Sequence, residues 1–146
     1  MQYEQRQCLP CPIGVRRMKI LFVEDDAMNR RVVRDMLDVA GAAMVEADSA
    51  EAGLQRIEEG DYDLVLLDLR MPGMDGFEVI RRVRARDDAK RTLPIVVVTA
   101  DTAIDLTQRC IAAGADEVLF KPVAMDALFD AIGRIVAGRA GGDLIF

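Results

Sequence analysis

The stretch that decides the fold is LVLLDLRMPGMDG, residues 64–76, in which an apolar run ends on an aspartate and then breaks into proline and glycine. A continuous aliphatic run of this kind is typical of a β-strand that is buried on both faces. A carboxylate at the tip of such a strand is costly to desolvate unless another group pairs with it. Asp68 is therefore either a turn-capping residue or present for its charge, and Pro72 and Gly73 turn the chain away from it.

Four further short apolar runs have the same character, at residues 18–23, 43–47, 94–99 and 117–121. Segments with apolar residues at helical spacing alternate with the strands, at residues 27–40, 50–59, 77–83, 101–113 and 125–137. Buried strands joined by helical crossovers indicate a parallel sheet with helices on both faces. We predict one α/β domain over residues 18–138, a doubly wound five-stranded parallel sheet of flavodoxin-like type.

Length and composition restrict the function. The 146 residues carry a net charge of −6, so we expect no basic surface for nucleic acid. The apolar runs are too short to span a membrane, and residues 1–17 lack the apolar core of a signal peptide. We therefore expect a cytoplasmic protein in which residues 1–17 form a disordered leader and residues 139–146 form a frayed tail.

The three cysteines do not indicate a disulfide framework, because a chain of this length buries a core without one. Cys8 and Cys11 form a C-x-x-C pair, but a zinc site needs four ligands and only Cys110 could add another thiolate. A redox motif would lie between a strand and a helix, whereas Pro12 and Gly14 follow here. We therefore assign the pair to the leader. The chain contains no histidine, which excludes histidine-based catalysis and histidine metal ligands.

Charged or hydroxyl side chains stand at the ends of four of the five predicted strands. The first strand is followed by Glu24-Asp25-Asp26, the third ends on Asp68, the fourth on Thr99 and the fifth on Lys121. Because ligands bind outside the carboxyl ends of such strands, we expect these side chains to meet in one crevice. Carboxylates so close together repel one another, and a bound cation removes the repulsion. Since the ligands are all oxygens, Mg²⁺ fits best.

A phosphoryl group is the ligand that best suits Thr99 and Lys121. Mg²⁺ in proteins usually combines carboxylates with water and phosphate oxygens. Lys121 offers a positive charge and Thr99 a hydroxyl donor to phosphoryl oxygens. Asp68, the central residue, is then the candidate nucleophile, because aspartyl phosphate is an accepted covalent intermediate.

Each of these elements has a simpler explanation when taken alone. A threonine at a strand end is often a cap, Lys121-Pro122 and Asp75-Gly76 are ordinary turn sequences, and acidic residues before a helix are often N-caps. Their coincidence at one end of the predicted sheet favours a functional site.

Four motifs resemble those of a known family: ILFVEDD at residues 20–26, LDLRMPGMDG at 67–76, VTA at 98–100 and FKP at 120–122. Together and in this order they resemble the response-regulator receiver domain of two-component signalling, which has the CheY-like fold. The resemblance covers residues 18–138. It implies a phosphoprotein that acts as a signalling module in a two-component system or phosphorelay, rather than an enzyme.

The resemblance also implies a phospho-acceptor and a metal site. Asp68 would accept the phosphoryl group. Asp25 would bind Mg²⁺ directly and Glu24 through water, while Asp68 and the backbone carbonyl of Arg70 would complete the protein ligands. Mn²⁺ is the alternative ion.

The resemblance further implies a phosphoryl donor. Thr99 and Lys121 would bind the phosphoryl oxygens, and the donor would be a phosphohistidine on a sensor histidine kinase or a histidine phosphotransfer protein. A downstream protein target would read the modified state. The donor would dock beside the first helix and the loop after the fifth strand, at Met28, Asn29, Val32, Pro122 and Val123. The apolar residues of this set are equally consistent with core packing.

Further positions bear on the conformational switch of the domain and on the lifetime of its phosphoryl group. The family often has a tyrosine or phenylalanine three residues before the lysine, and here that position is Val118, which has no comparable rotamer swing. Switching would then act through Thr99 alone. Arg70 and Asp101 each stand two residues past a site residue. We hypothesise that their side chains pair across the mouth of the site and hinder the water that hydrolyses the phosphoryl group.

Several functions compete. A stand-alone phospho-accepting module is the first, because the predicted domain leaves no room for an output domain. A phosphatase of haloacid-dehalogenase type would need an aspartate where Arg70 stands, and its nucleophile would follow the first strand. A flavodoxin-like FMN binder would need a phosphate-binding loop where Glu24-Asp25-Asp26 repels phosphate. The last alternative is a degenerate receiver that binds partners without phosphorylation, and an intact set of site residues argues against it: Asp25, Asp68, Thr99 and Lys121.

Overall fold

The structure, a computed structural model, describes residues 16–138 and 144–145. The backbone of Arg16–Arg17 pairs in parallel with that of Leu144–Ile145. Cys8 and Cys11, with most of the predicted leader and tail, lie outside the described residues, so the limits of the domain stay a prediction. Cys110, in contrast, is buried in the core.

A five-stranded parallel sheet with helices on both faces forms the fold. The strands are β1 Lys19–Val23, β2 Ala43–Ala47, β3 Leu64–Asp68, β4 Ile95–Thr99 and β5 Glu117–Phe120. The helices are α1 Ala27–Ala40, α2 Ala50–Glu59, α3 Gly76–Arg84, α4 Leu106–Ala113 and α5 Met125–Ala137, with a 3₁₀ turn at Ala89–Thr92. The strand order β2-β1-β3-β4-β5 confirms the predicted doubly wound, flavodoxin-like class.

The sheet separates two apolar cores, because successive side chains of a strand point to opposite faces. Leu66 and Val98 pack with α1 and α5 on one face. Leu67 and Val97 pack with α2, α3 and α4 on the other. Every residue of β3 is buried, as the sequence predicts. Asp68 at its end is therefore delivered into the protein interior.

The helix ends follow the local sequence. Asp26 caps α1, since its Oδ1 accepts a hydrogen bond from the Met28 amide at 2.9 Å, and Gly41 ends this helix with φ at 82°. Asp75 caps α3 in the same way, accepting from the Glu78 amide at 3.0 Å. No helix within residues 16–138 is both long and apolar enough to cross a bilayer.

The predicted helix over residues 101–113 is wrong at its start, because α4 begins at Leu106. Asp101 Oδ1 accepts a hydrogen bond from the Ala103 amide at 3.0 Å, and this local turn competes with helix formation. Its Oδ2 accepts from Arg70 across the sheet edge. The segment is therefore a loop beside strand β4, and Ile104 in it is fully exposed.

Candidate functional site

The parallel register brings the predicted site residues to one edge of the sheet. Glu24 comes to lie beside Asp68, and Lys121 beside Thr99, where its amide donates a hydrogen bond to the Thr99 carbonyl at 2.8 Å. Glu24, Asp68 and Thr99 are buried, with 1%, 3% and 0% of their surface exposed. Buried polar groups of this kind need partners, and backbone amides donate to Asp68 and Thr99.

Lys121 is the positive charge of the crevice. Its Nζ lies 2.9 Å from Glu24 Oε1 and 3.4 Å from Asp68 Oδ2. Burial disfavours the ammonium, but the contacts with Glu24 and Asp68 outweigh this and raise the pKa of Lys121. Burial, with the nearby Asp68 adding to it, raises the pKa of Glu24 despite the contact with Lys121. One ammonium is thus shared by two buried carboxyl groups.

The donor set fits a hard cation. Glu24, Asp25 and Asp68 each offer a carboxylate oxygen, and these oxygens lie within 4.8 Å of one another. Glu24 Oε1 is buried and accepts no hydrogen bond from the described residues, although Lys121 lies at ion-pair distance. The Arg70 amide donates to Asp68 Oδ1 at 3.2 Å, which holds the Arg70 backbone at the same crevice. An oxygen-only set with excess negative charge suits Mg²⁺.

Thr99 presents its hydroxyl at the end of β4. Its Oγ1 accepts a hydrogen bond from the Asp101 amide at 3.1 Å. A hydroxyl that accepts in this way keeps its own proton for donation. Thr99 can therefore donate to an acceptor placed in the crevice.

The predicted pairing of Arg70 with Asp101 is confirmed. Arg70 Nη2 donates to Asp101 Oδ2 at 2.8 Å, with the side chains 73% and 21% exposed. This hydrogen bond, together with one from the Ala103 amide, lowers the pKa of Asp101. The pair links the loop after β3 with the loop after β4.

The residues expected to contact a donor include exposed apolar side chains. Met28 is 68% exposed and Val32 is 43% exposed, so core packing does not account for them. A cavity of about 130 Å³ lies next to them, and its lining includes Asn29, Val32, Lys121, Pro122 and Val123. An apolar surface thus adjoins the crevice.

Arg30 contacts the acidic loop, Glu24-Asp25-Asp26, and this contact was not predicted from the sequence. Its Nη1 donates to the Glu24 carbonyl at 2.7 Å, and its Nε donates to Glu46 Oε1 at 2.7 Å. Helical side chains point back toward the helix N-terminus, so an arginine four residues after the N-cap Asp26 reaches the residues before the helix. This spacing is the signal that could have found it.

Comparison with known proteins assigns the family. The family model for the response regulator receiver domain matches residues 20–133. The virulence sensor protein BvgS of Bordetella pertussis is 40% identical over 127 residues, which cover 84% of this chain and 10% of BvgS. The sensor histidine kinase AruS of Pseudomonas aeruginosa is 36% identical over 127 residues, which cover 86% of this chain and 13% of AruS. The chain thus spans a small fraction of these relatives.

Solved structures of response regulators have the same fold as this chain. A putative response regulator from Chloroflexus aurantiacus matches with a TM-score of 0.79 and 31% identity, covering 84% of this chain and 99% of that one. The chemotaxis protein CheY4 of Vibrio cholerae matches with a TM-score of 0.75 and 28% identity, covering 82% of this chain and 99% of CheY4. With the fold and the acidic crevice already in place, these matches show that the chain belongs to the response-regulator receiver domain family of two-component signalling.

Proposed function

We propose that this receiver domain accepts a phosphoryl group onto Asp68 from a phosphohistidine. The supporting observation is the position of the Asp68 carboxylate, buried at the end of β3 with the Lys121 ammonium 3.4 Å from its Oδ2. A carboxylate oxygen of Asp68 forms the new O–P bond as the P–N bond of the donor breaks. The electron pair of that bond stays on the histidine nitrogen, which takes a proton from solvent.

Glu24, Asp25, Asp68 and the backbone carbonyl of Arg70 would hold Mg²⁺, with Mn²⁺ as the alternative ion. The cation, when bound, neutralises negative charge at the phosphoryl oxygens. Lys121 contributes a second positive charge on the Glu24 side of the crevice. Because three carboxylates converge here, transfer without a cation would meet strong repulsion.

Thr99 and Lys121 bind the oxygens of the transferred group. The Thr99 hydroxyl accepts from the Asp101 amide and donates to a phosphoryl oxygen. The Lys121 ammonium now contacts the Asp68 carboxylate, and after transfer it contacts the oxygens of the phosphoryl group attached to Asp68. Both groups are held by the carboxyl ends of neighbouring strands, so transfer needs little reorganisation.

The donor is a sensor histidine kinase or a histidine phosphotransfer protein. Its apolar surface would cover the exposed Met28 and Val32 of α1 and the cavity lined by Pro122 and Val123. The relatives BvgS and AruS are named as sensor proteins, which supports a place in a histidine-to-aspartate phosphorelay. The output is a change in protein–protein contacts or onward transfer of the phosphoryl group.

Intact-mass spectrometry tests this function. The protein is incubated with acetyl phosphate, with and without Mg²⁺, beside Asp68→Asn and Asp75→Asn variants. We expect one phosphoryl adduct that requires Mg²⁺ and is lost only in Asp68→Asn. Asp75→Asn is the matched control, because asparagine is an equally good cap for α3. A wild-type protein that accepts no phosphoryl group from acetyl phosphate or from a phosphorylated histidine protein would overturn the proposal and favour a degenerate receiver.

A further inference from the structure

Arg30 ties the acidic loop to the edge of the sheet. It is the fourth residue of α1, and its side chain is only 16% exposed. One guanidinium nitrogen donates to the Glu24 carbonyl and another to Glu46 on β2, both at 2.7 Å. Glu46 is also contacted by Arg34, one turn further along α1. The guanidinium is therefore fixed on both sides.

This contact completes the backbone restraints on Glu24. The Glu24 amide donates to the Ala47 carbonyl of β2 at 2.9 Å. The Glu24 carbonyl belongs to the peptide plane that leads into Asp25, and it accepts the hydrogen bond from Arg30 Nη1. Asp25 itself is exposed, so packing does not fix its side chain. The orientation of that peptide plane, together with that of the next one, whose Asp26 amide donates to Glu24 Oε2 at 3.3 Å, sets the direction in which the Asp25 side chain leaves the backbone.

We propose that Arg30 is a positioning residue for the cation site: its guanidinium, held by Glu46, fixes the Glu24–Asp25 peptide so that both carboxylates face Asp68. The inference rests on the proposed function only in taking these three carboxylates as the cation site. Groups that orient metal ligands without touching the metal control affinity strongly. Arg30 would act in this way through a backbone carbonyl.

The sign of the effect separates positioning from charge. A guanidinium near a cation site repels the cation, so electrostatics alone predicts tighter Mg²⁺ binding when Arg30 is neutralised. Loss of positioning predicts weaker binding. Arg34→Gln is the matched control, because Arg34 contacts Glu46 from the same helix face and carries the same charge. The structure places the Glu24 carbonyl contact on Arg30.

Mg²⁺ titration by isothermal calorimetry tests the inference, with the Asp25 and Asp68 amide signals in NMR as a second readout. We expect Arg30→Gln to raise the Mg²⁺ Kd about tenfold, the lower end for residues that orient metal ligands. Arg34→Gln should change it by less than about twofold, or lower it slightly, as an exposed charge does. Arg30→Lys keeps the charge but replaces the rigid guanidinium, which reaches Glu24 and Glu46 from two different nitrogens, with a single ammonium, so it should also weaken binding.

The outcomes are distinct. Mg²⁺ binding in Arg30→Gln and Arg30→Lys that is as tight as in wild type would overturn the inference. If Arg30→Gln fails to fold by circular dichroism, Arg30→Lys decides alone. Wild type that binds Mg²⁺ but takes no phosphoryl group would overturn the proposed function while the Arg30 variants still test the inference. Wild type that binds no Mg²⁺ would overturn both.

Discussion

The Arg70–Asp101 ion pair joins two loops at the mouth of the Asp68 crevice. The pair is short, 2.8 Å, but Arg70 is 73% exposed, so it contributes little to the stability of the fold. Because the Arg70 contact lowers the pKa of Asp101, the pair persists at neutral pH and is lost only as pH falls through that lowered value. We hypothesise that the pair hinders the water that attacks a phosphoryl group on Asp68.

We expect Asp101→Asn to shorten the lifetime of phosphorylated Asp68. Loss of the carboxylate charge weakens the contact with Arg70 and admits water more often, and a two- to fivefold faster decay, roughly, is the scale of an exposed ion pair. Asp105→Asn is the control, since Asp105 pairs with Arg109 in the same segment and not with Arg70. The measurement is the decay of the phosphoryl adduct by mass spectrometry after acetyl phosphate is removed. Equal decay rates in wild type and Asp101→Asn would contradict the hypothesis.

The residues at the strand ends could be predicted individually from the sequence, whereas the contacts that helix side chains make with distant strands could not. Asp68 and Lys121 were predictable because a parallel sheet sends the carboxyl ends of its strands to one edge. The pairing of Arg70 with Asp101 followed from the same geometry. The contact of Arg30 with the Glu24 carbonyl follows from its spacing after Asp26 and was overlooked, whereas its contact with Glu46 depends on how α1 packs over β2, which no local pattern encodes.

Arg84, at the end of α3, joins this helix to α4 and β5. It lies at the amino ends of the strands, opposite the Asp68 crevice. Its guanidinium donates to the carbonyls of Gly114, Arg91 and Leu93 and to the carboxylate of Asp116, at 2.8 to 3.1 Å. Burial lowers the pKa of Arg84, and Asp116 opposes that shift. The end of α4, the start of β5 and the 3₁₀ turn thus depend on one side chain.

Arg84→Met should destabilise the protein by about 2–4 kcal/mol, because three backbone carbonyls and a carboxylate lose a charged donor together. Arg82→Met on the same helix is the control, since Arg82 is exposed and Glu78 is its one ion-pair partner among the residues the structure describes, and it should cost less than about 1 kcal/mol. Urea denaturation followed by circular dichroism measures both. Similar losses in the two variants would show that Arg84 does not join these elements.

Two glycines should respond oppositely to alanine. At Gly76, the start of α3, a Cβ would lie 2.8 Å from Leu69 Cα and 2.9 Å from the Asp68 carbonyl, so Gly76→Ala should cost about 1–3 kcal/mol. At Gly133, inside α5, a Cβ would meet open space, so Gly133→Ala should stabilise the protein by about 0.5–1 kcal/mol. Thermal and urea unfolding measure both changes. A neutral Gly76→Ala would mean that the loop after Asp68 can move away.

The element pattern was predictable where apolar periodicity was strong. α1 and β2 have the predicted bounds, because Asp26 and Gly41 mark the helix ends and apolar residues mark the faces. The start of α4 was not predictable from periodicity, since the turn at Asp101 depends on both a local amide and the distant Arg70. The 3₁₀ turn at Ala89–Thr92 has no apolar pattern of its own.

At the scale of the whole molecule, a change at the site is transmitted to distant surfaces through the strands and loops that carry the site residues. Val118 on β5 is half-buried and lacks an aromatic ring that could swing. Thr99, which is buried, is bonded through Oγ1 to the Asp101 amide, and Asp101 holds the loop that precedes α4. If a phosphoryl group on Asp68 accepts a hydrogen bond from Thr99, as proposed, we expect residues 100–105 to move before β5 does. A conformational signal requires different contacts in the two states, and this loop is where they can differ.

Amide NMR with beryllofluoride and Mg²⁺, which together imitate a phosphoryl group on Asp68, should show where the change goes. We expect the largest shifts beyond the crevice in residues 100–106, with those of Val118 markedly smaller, because valine offers no rotamer change that would rebuild β5. Asp68→Asn, which lacks the acceptor, should show none of them. Shifts at Val118 as large as those in the loop would place the switch in β5, and the route from Thr99 through Asp101 to α4 would then be wrong. Comparing the amide shifts of residues 100–106 with that of Val118 thus tests how a receiver without the aromatic ring transmits the signal. In this protein the proposed route is the loop that Arg70 and Thr99 hold in place.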